Sequence, residues 1–449
     1  MIYIVSTFFL WQNSTIFFPM TLENWTGFAA LPRNQIVIDN IDTAKRDILK
    51  DNITSSWFES LDAKGKNKYV SSLISVKRRL KDVRKPECKA KIFENGSLPK
   101  ASIIVIFCNE HLSFVLRTVW SILNNTPRHL RHEIILVDDA SNKTEIKQTL
   151  PLYLQTRFQN ENIQLVRNPV RMHPIVSKNV GAKHATGDAL VFLEGHMELT
   201  PGWIEPMLHH IKLNTKSVAI PTLDFIDYTT LDFNERVNSR HIFCIEYEAP
   251  IYQFIHKSLL VFILSFIIKN PEGKCMHVDF NWNGGFGYTQ CKKDNFSLTE
   301  PIPSPMMTGE AFVIQRENFW RLGGYDPGMY GWGGENYELS FKAWLCGGSV
   351  DLISCSHVAH LDRSFAVRTY ANPEGGYTKN MLRVTEVWTD EYRSTFNSFL
   401  QSSKPSDLEL EDRFMLKKTL QCKPFSWFVK NVIPGKYIPD KDPKYYGKL

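Results

Sequence analysis

A carboxylate and an imidazole stand two positions apart where an apolar run of the chain ends. Residues 189–193 are apolar, Glu194 follows them, and His196 comes two positions later. Side chains at i and i+2 of an extended strand point to the same face, so the two groups can reach one cation together. A carboxylate beside an imidazole suits Mn²⁺ or Mg²⁺ that shares its other positions with phosphate oxygens. A strand that simply ends in a polar turn is the competing interpretation of this pair taken alone.

The elements that must position this pair begin about ninety residues earlier. Residues 101–141 read as an apolar strand, an amphipathic helix and a second apolar strand that ends at Asp138 and Asp139. This βαβ unit requires a parallel sheet, with its ligand crevice at the carboxyl ends of the strands. Loop carboxylates there can accept hydrogen bonds from a ribose or a base, or can cap the following helix. No GxGxxG follows the first strand, which disfavours a nicotinamide dehydrogenase.

Several specific blocks occur in a fixed order between residues 88 and 434. They read FCNEHLSFVLRTVWSI, PRHLRHEIILVDDAS, GWIEPML, YGWGGENYELSFKAWLCGGS, CSHVAH, TEVWTDEY and LQCKPFSWF. On these blocks the chain resembles the polypeptide N-acetylgalactosaminyltransferases, which start mucin-type O-glycosylation. The resemblance implies an α/β fold of the GT-A nucleotide-sugar transferase type, in which helices flank a Rossmann-like, mostly parallel central sheet. It also implies transfer of GalNAc from UDP-GalNAc to Ser or Thr hydroxyls of acceptor polypeptides, with retention of configuration, Mn²⁺ as cofactor and no nucleic-acid partner.

The resemblance assigns roles to individual residues of this chain. Glu194, His196 and His360 fall on the three metal ligands, and Glu194 replaces the family's aspartate. Trp332 and Glu335 lie in the glycine-rich WGGEN block, where the tryptophan implies a lid or sugar platform. Glu335 is the predicted catalytic side chain that orients the sugar or the acceptor.

The residues predicted to bind the donor nucleotide-sugar are Asp139, Arg171, Gly309, Trp332 and Arg363. Arg171 matches the first arginine of the family's R-x-G-L-x-R-x-R run. The rest of that run departs from the family, because its glycine, leucine and last two arginines are replaced by His173, Pro174, Val176 and Lys178.

A second departure lies at the pair of glycines that lets the family's backbone approach the sugar. This pair appears here as Gly309 and Glu310. With Glu194 and the altered arginine run, this change keeps a second function open. The alternative is a catalytically weak or inactive homologue that binds nucleotide or protein in the Golgi.

The 449 residues, 43% of them apolar, can form one large domain with a leader. We predict a weak type II signal anchor at residues 1–20, a stem at 21–97 and a catalytic domain at 98–449. Within the catalytic domain, we expect a nucleotide-binding half at about 98–210 and an acceptor and sugar half at about 300–395. The segment 241–277 matches no part of the family and is interpreted as an insertion or a gene-model artefact. The sequence contains no QxW repeat, which is the signature of the family's ricin-like lectin domain, so we predict no lectin domain.

Charge is concentrated in the predicted stem. Residues 64–91 hold eleven Lys or Arg and two acids. The run KRRLKDVRK could form a nuclear-localisation or phosphate-binding patch, but a solvated helix between membrane and enzyme is favoured because nothing else suggests nucleic acid.

Cysteines and glycosylation signals bear on the compartment. By resemblance, Cys88 pairs with Cys355 and Cys346 with Cys422, as expected in an oxidising lumen. Seven N-x-Ser/Thr sequons occur in the chain, which is compatible with a glycoprotein of the secretory pathway. We therefore expect a single-pass type II protein of the Golgi membrane with a lumenal catalytic domain.

Overall fold

The computed structural model describes residues 61–62, 65–93, 96–234, 276–290, 297, 299–363, 376–400 and 408–439. Their strands are β1 (Ala101–Phe107), β2 (Arg131–Asp138), β3 (Ile163–Arg167), β4 (Ala189–Glu194), β5 (Met197–Leu199), β6 (Ser217–Ile226), β7 (Phe233–Asn234), β8 (Met276–Phe280), β9 (Phe286–Gln290), β10 (Ile302–Pro303), β11 (Ala311–Gln315) and β12 (Ser349–Leu361). Ten of them form one sheet, whose main path runs β10-β12-β6-β11-β4-β1-β2-β3. Off this path, β5 pairs with β12 and β7 pairs with β6, and β8 pairs with β9 in a separate sheet.

Helices cover both faces of the sheet. They are α1 (Lys68–Leu73), α2 (Pro86–Lys89), α3 (Leu112–Asn125), α4 (Leu150–Arg157), α5 (His173–His184), α6 (Glu205–Leu213), α7 (Arg316–Arg321), α8 (Glu335–Leu345), α9 (Gly376–Trp388), α10 (Arg393–Leu400), α11 (Glu411–Thr419) and α12 (Phe425–Asn431). A π-helical turn at Glu145–Thr149 precedes α4, and a 3₁₀ turn at Asp390–Tyr392 precedes α10.

One half of the sheet is parallel and contains β1, β2, β3 and β4. β1 lies between β2 and β4 and is parallel to both, and β3 continues the parallel set beyond β2. Every residue of β1 is buried, because alternate side chains face opposite cores. Ile103 and Val105 pack in the core that contains α3, whereas Ile104 and Ile106 pack in the core that contains α5. The predicted mostly parallel α/β sheet is confirmed.

The other half of the sheet is mixed, and it brings distant segments together. β11 is antiparallel to β4 and β6, and β12 is parallel to β6. β5 pairs antiparallel with β12, so that His360 lies opposite Met197. The end of β12 therefore lies beside the turn that follows β4.

The basic segment departs from its prediction. Its described part contains the short helices α1 and α2, and several of its side chains are buried against the domain. Arg78 Nε donates to Glu198 Oε2 at 2.7 Å, and the Arg78 side chain is only 5% exposed. The interpretation as a solvated helix is wrong for Arg78, whose cation binds a buried carboxylate of the domain. Other basic residues of the same run are exposed as expected, but they lie outside any helix: Lys77, Arg79, Lys81 and Lys85. The predicted domain bounds stay predictions.

Two predicted features, near the N-terminus and in the middle of the sequence, lie outside the described residues. These are the anchor at residues 1–20 and most of the segment 241–277. Within the described ranges, no helix combines the length and apolar character needed to cross a bilayer.

Candidate active site

Three side chains converge at one edge of the sheet. Glu194 ends β4, His196 lies in the turn before β5, and His360 lies near the end of β12. One ligand atom from each lies within 4.8 Å of the others. His196 Nε2 is 3.1 Å and His360 Nε2 is 3.3 Å from Glu194 Oε2. One carboxylate and two imidazoles form a donor set that suits a divalent cation with further positions for oxygen ligands.

Strand pairing holds this arrangement. The Leu361 amide donates to the His196 carbonyl at 3.2 Å, next to the β5–β12 ladder. Gly195 stands between two of the ligands and packs on Phe107, where an added Cβ would lie 2.6 Å from the Phe107 Cβ. The turn therefore has room only for glycine, which keeps Glu194 and His196 close to the end of β1.

The surroundings of Glu194 and His360 shift the pKa values of both groups. Burial disfavours the ionised Glu194 carboxylate, but hydrogen bonds from His196 and His360 outweigh this and hold its pKa well below the usual range. Burial also disfavours the His360 imidazolium, but the carboxylates of Asp362, Glu194 and Glu310 outweigh it and raise the His360 pKa to about 9. Both shifts come from the attraction between the carboxylate and the imidazoles, and His360 must give up its proton to ligate a cation.

A fourth carboxylate, Glu110, was missed by the sequence reasoning. It follows β1 and lies buried behind His196, with Oε1 3.3 Å from His196 Nδ1. Lys66 Nζ lies 3.3 Å from both Glu110 carboxylate oxygens. The rule that nominated Asp139, a carboxylate at the carboxyl end of a parallel strand, could have found Glu110 as well.

Asp139 is buried and bound by the loop that follows β3. Its carboxylate accepts the backbone amides of Met172 and His173 at 2.7 and 2.9 Å, and the Asn168 side-chain amide at 2.9 Å. Arg171 Nε lies 3.7 Å from Asp139 Oδ2, and the arginine side chain is half exposed. Asp139 therefore fixes the shape of the loop that presents Arg171.

Gly309 lies in a tightly packed turn before β11. Its φ of +87° favours glycine, and an added Cβ would lie 2.0 Å from Asn336 Oδ1. Lys178 Nζ donates to the Gly309 carbonyl at 3.1 Å, and Asn336 Nδ2 donates to the Thr308 carbonyl at 2.6 Å. Lys178 on α5 thus holds this turn in place.

Glu335 begins α8 and is buried. Burial raises its pKa, and the charge of Glu310 adds to this effect, while Lys178 and the Gly333 and Glu335 amides oppose it. Glu335 Oε2 is buried and accepts no hydrogen bond from the described residues. The Glu310 charge also helps to raise the pKa values of both Glu335 and His360.

Trp332 and Arg363 border this region. The Trp332 ring stacks on Tyr377 with a centroid distance of 6.0 Å and an interplanar angle of 21°. The Tyr377 ring also covers Gly333, where a Cβ would lie 2.3 Å from it. Arg363 is exposed and follows β12, next to residues 364–375, which lie outside the described ranges.

Both predicted disulfides are confirmed. Cys88 is bonded to Cys355 with a Cα–Cα distance of 5.3 Å, which ties the N-terminal segment to β12. Cys346 is bonded to Cys422 at 4.2 Å, which ties the end of α8 to the segment before α12.

Comparison with protein families matches two regions. Residues 102–271 match the model of glycosyl transferase family 2, and residues 291–364 match a model described as the N-terminal domain of galactosyltransferase. The second match covers Gly309, the WGGEN block and His360.

Curated relatives and a solved structure match most of the chain. It is 36% identical over 378 residues to the probable N-acetylgalactosaminyltransferase 6 of Caenorhabditis elegans, covering 83% of this chain and 56% of that protein. It is 35% identical over 389 residues to the mouse polypeptide N-acetylgalactosaminyltransferase 4, covering 85% and 60%. The crystal structure of GalNAc-T7 with UDP, GalNAc and Mn²⁺ is similar with a TM-score of 0.72 at 28% identity, covering 85% of this chain and 65% of that one. The chain thus spans a little over half the length of these curated relatives.

Proposed function

Because the chain belongs to the polypeptide N-acetylgalactosaminyltransferase family, we propose that it transfers GalNAc from UDP-GalNAc to Ser or Thr hydroxyls of polypeptides, with Mn²⁺ and with retention of configuration. The observation that carries this proposal is the cluster of Glu194, His196 and His360, whose ligand atoms lie within 4.8 Å of one another. A GalNAc-transferase structure with UDP, GalNAc and Mn²⁺ shares the fold.

The donor set fits the metal, because one carboxylate and two imidazoles match the preferences of Mn²⁺ and leave positions for diphosphate oxygens. Glu194, His196 and His360 would hold the ion. When bound, it supplies positive charge that stabilises the departing diphosphate.

The chain's own residues would orient the reactants. Arg363 adds positive charge for the diphosphate, and Trp332 with Tyr377 forms an aromatic wall that excludes water from the sugar. Glu335, with one oxygen unused by the described residues, orients the sugar or the acceptor through a hydrogen bond. In the transfer, the bond from the anomeric carbon to the diphosphate oxygen breaks, the bond to the acceptor oxygen forms on the same face, and the hydroxyl proton passes to the leaving phosphate.

A Golgi lumenal location is part of the proposal. Two disulfides support an oxidising compartment, because such bonds are rare in the reducing cytosol. Single-pass type II attachment remains a proposal from the sequence.

Four substitutions favour a second candidate, a weak or inactive homologue that binds nucleotide or protein. Glu194 replaces the family's aspartate and Glu310 a glycine, and in the altered arginine run His173 and Val176 replace a glycine and an arginine. Catalytic groups need positions accurate to a fraction of an ångström, so one extra methylene at a ligand can lower the rate.

The experiment is a mass-shift assay on the full chain with UDP-GalNAc, Mn²⁺ and Thr-rich peptides. Addition of one HexNAc that requires Mn²⁺, is abolished in His360→Ala and is retained in His209→Ala supports the transferase. His209 is an exposed histidine on α6 and serves as the matched control. No transfer by folded protein favours the second candidate, and a large gain in rate for Glu194→Asp would identify the longer ligand as its cause.

A further inference from the structure

A line of buried charges leads from the N-terminal segment to the metal cluster. Lys66 Nζ lies 3.3 Å from both oxygens of Glu110, and Glu110 Oε1 lies 3.3 Å from His196 Nδ1. On the other side of the same ring, His196 Nε2 faces Glu194 Oε2 at 3.1 Å. The Lys66 and Glu110 side chains are 3% and 1% exposed, so solvent screens this line very little.

The backbone around Lys66 is held independently of its ammonium group. The Lys66 amide donates to Asp62 Oδ1 at 3.0 Å, and the Asn67 amide donates to the Tyr228 carbonyl at 2.8 Å. Asn67 also caps α1 by accepting the Val70 amide. Removing the Lys66 charge therefore leaves the local chain path anchored at both neighbours.

We propose that Lys66 is a positioning residue for the metal site, which acts by fixing the Glu110 carboxylate against His196 Nδ1. A histidine that ligates through one nitrogen is oriented by the partner of the other nitrogen. His196 Nδ1 is buried and makes no hydrogen bond with the described residues, and Glu110 Oε1, 3.3 Å away, is placed to accept one. Lys66 contacts both Glu110 oxygens, so a lysine outside the sheet would set how His196 Nε2 faces the cation. The inference rests on the Mn²⁺ site of the proposed function.

Two effects of Lys66 on a bound cation have opposite signs. Acting only as a positive charge through space, Lys66 would repel the cation, and its removal would strengthen binding. Acting through the orientation of Glu110 and His196, its removal weakens binding. The sign of the change in Mn²⁺ affinity therefore separates the two roles.

The experiment measures Mn²⁺ affinity of the full chain from the electron paramagnetic resonance signal of free Mn²⁺, without nucleotide. The variants are Lys66→Met, Glu110→Gln and the double variant, with Lys77→Met as matched control. Lys77 lies in the same segment, is exposed and packs over Trp120 instead of Glu110. Loss of an outer partner of a ligating histidine typically costs about 10–100-fold in metal affinity. We expect roughly tenfold or more for Glu110→Gln, about threefold or more for Lys66→Met, and no change for Lys77→Met.

The double variant should bind Mn²⁺ as Glu110→Gln does, because Lys66 acts through Glu110. The double variant removes both the Lys66 and the Glu110 charge, so it leaves neither of them buried without its partner. It should therefore fold even where a single variant is destabilised. Melting temperatures are measured for all variants. Unchanged or tighter Mn²⁺ binding by Lys66→Met would overturn the inference, as would additive losses in the double variant. Wild-type protein that fails to bind Mn²⁺ would instead overturn the metal assignment of the proposed function, and this inference with it.

Discussion

His196 Nε2 and His360 Nε2 lie 3.1 Å apart, although 164 positions separate the two residues in the chain. The antiparallel pairing of β5 with β12 causes this approach, and Glu194 at the end of β4 completes the group. Two imidazole nitrogens and a carboxylate oxygen at these distances make a compact donor set for one cation. Its metal affinity is therefore the first property to test.

Glu194→Gln should abolish or strongly weaken Mn²⁺ binding. The substitution keeps the shape of the side chain but removes the only carboxylate, and so the only negative charge, among the three ligands, and we expect a loss of binding free energy of about 3 kcal/mol. About 3 kcal/mol corresponds to roughly a hundredfold loss in affinity. Isothermal titration with Mn²⁺ measures the loss, and Glu317→Gln, at an exposed glutamate on α7, is the control. Equal affinity in both variants would show that Glu194 is not a ligand.

Gly309→Ala should reduce both stability and transferase activity more than Gly347→Ala. Both glycines have φ near +86°, at +87° and +85°, so the backbone cost of roughly 1–2 kcal/mol is shared. An added Cβ meets Asn336 Oδ1 at 2.0 Å in the first case and nothing within 4 Å in the second. Because Asn336 follows Glu335, the clash should reach the proposed active site.

Urea unfolding and the mass-shift assay compare these two variants. The difference between them isolates the contact with Asn336 from the strain of a positive φ. Equal losses in stability and equal activities would contradict the packing that the structure gives to Gly309.

Much of this fold could be predicted from local patterns. Apolar strands closing on Asp138 and Glu194 indicated a parallel sheet, and β1, β2 and β4 form it with the expected edge. The i, i+2 spacing predicted that Glu194 and His196 approach one cation, and they do lie together. His360 could be added only by resemblance, because periodicity along the chain carries no information about the pairing of β5 with β12.

Other features depend on tertiary contacts that no short segment encodes. The basic run suggested a solvated helix, yet Arg78 is buried and donates to the carboxylate of Glu198, which lies 120 positions away in the chain. Glu110 occurred in a recognised block but drew no attention, because its importance comes from Lys66 and His196 on either side. A run of basic residues in the sequence predicts exposed side chains, but this prediction fails for a residue that pairs with a buried carboxylate elsewhere in the fold.

Arg383→Met should destabilise the protein by roughly 3–5 kcal/mol. Arg383 makes two hydrogen bonds to the Asp326 carboxylate, at 2.8 and 2.9 Å, and both side chains are at most 5% exposed. Removing one partner leaves a buried charge without its counter-ion. Arg393→Met is the matched control, because Arg393 pairs with Glu386 but is 50% exposed, and should cost under about 1 kcal/mol. Urea unfolding measures both, and comparable losses would contradict the difference in burial.

Replacing Cys88 and Cys355 with alanine should lower stability by roughly 2–5 kcal/mol, because the bond closes a loop across 267 positions. It should also release the segment around α2, because the disulfide that ties it to β12 is lost. Limited trypsin digestion is expected to cut at Lys89 or Lys91, both exposed, faster than in wild type. The same double replacement at Cys346 and Cys422 is the control, and it should leave cleavage at these lysines unchanged. Equal cleavage of the segment in all three proteins would contradict this role.

Asp351→Asn should destabilise the protein at neutral pH but much less at acidic pH. Burial would raise the Asp351 pKa, but hydrogen bonds from His210, Ser217 and Ser349 outweigh it and lower the pKa below its ordinary value. These contacts reach Asp351 Oδ2 at 2.9, 2.6 and 2.5 Å. A carboxyl whose folded pKa is depressed stabilises the fold above its unfolded pKa of about 3.9, and this contribution is lost as pH falls through the folded pKa.

The gap in unfolding free energy between wild type and Asp351→Asn should therefore be largest above about pH 5 and shrink toward pH 3. Urea unfolding with the disulfides intact, at several pH values, measures this gap. Other carboxylates with lowered pKa values, such as Asp82 and Asp227, titrate equally in both proteins, so the difference reports Asp351 alone. A gap that stays constant from pH 7 to pH 3 would mean that the carboxylate charge contributes nothing, and that the cluster acts only through packing.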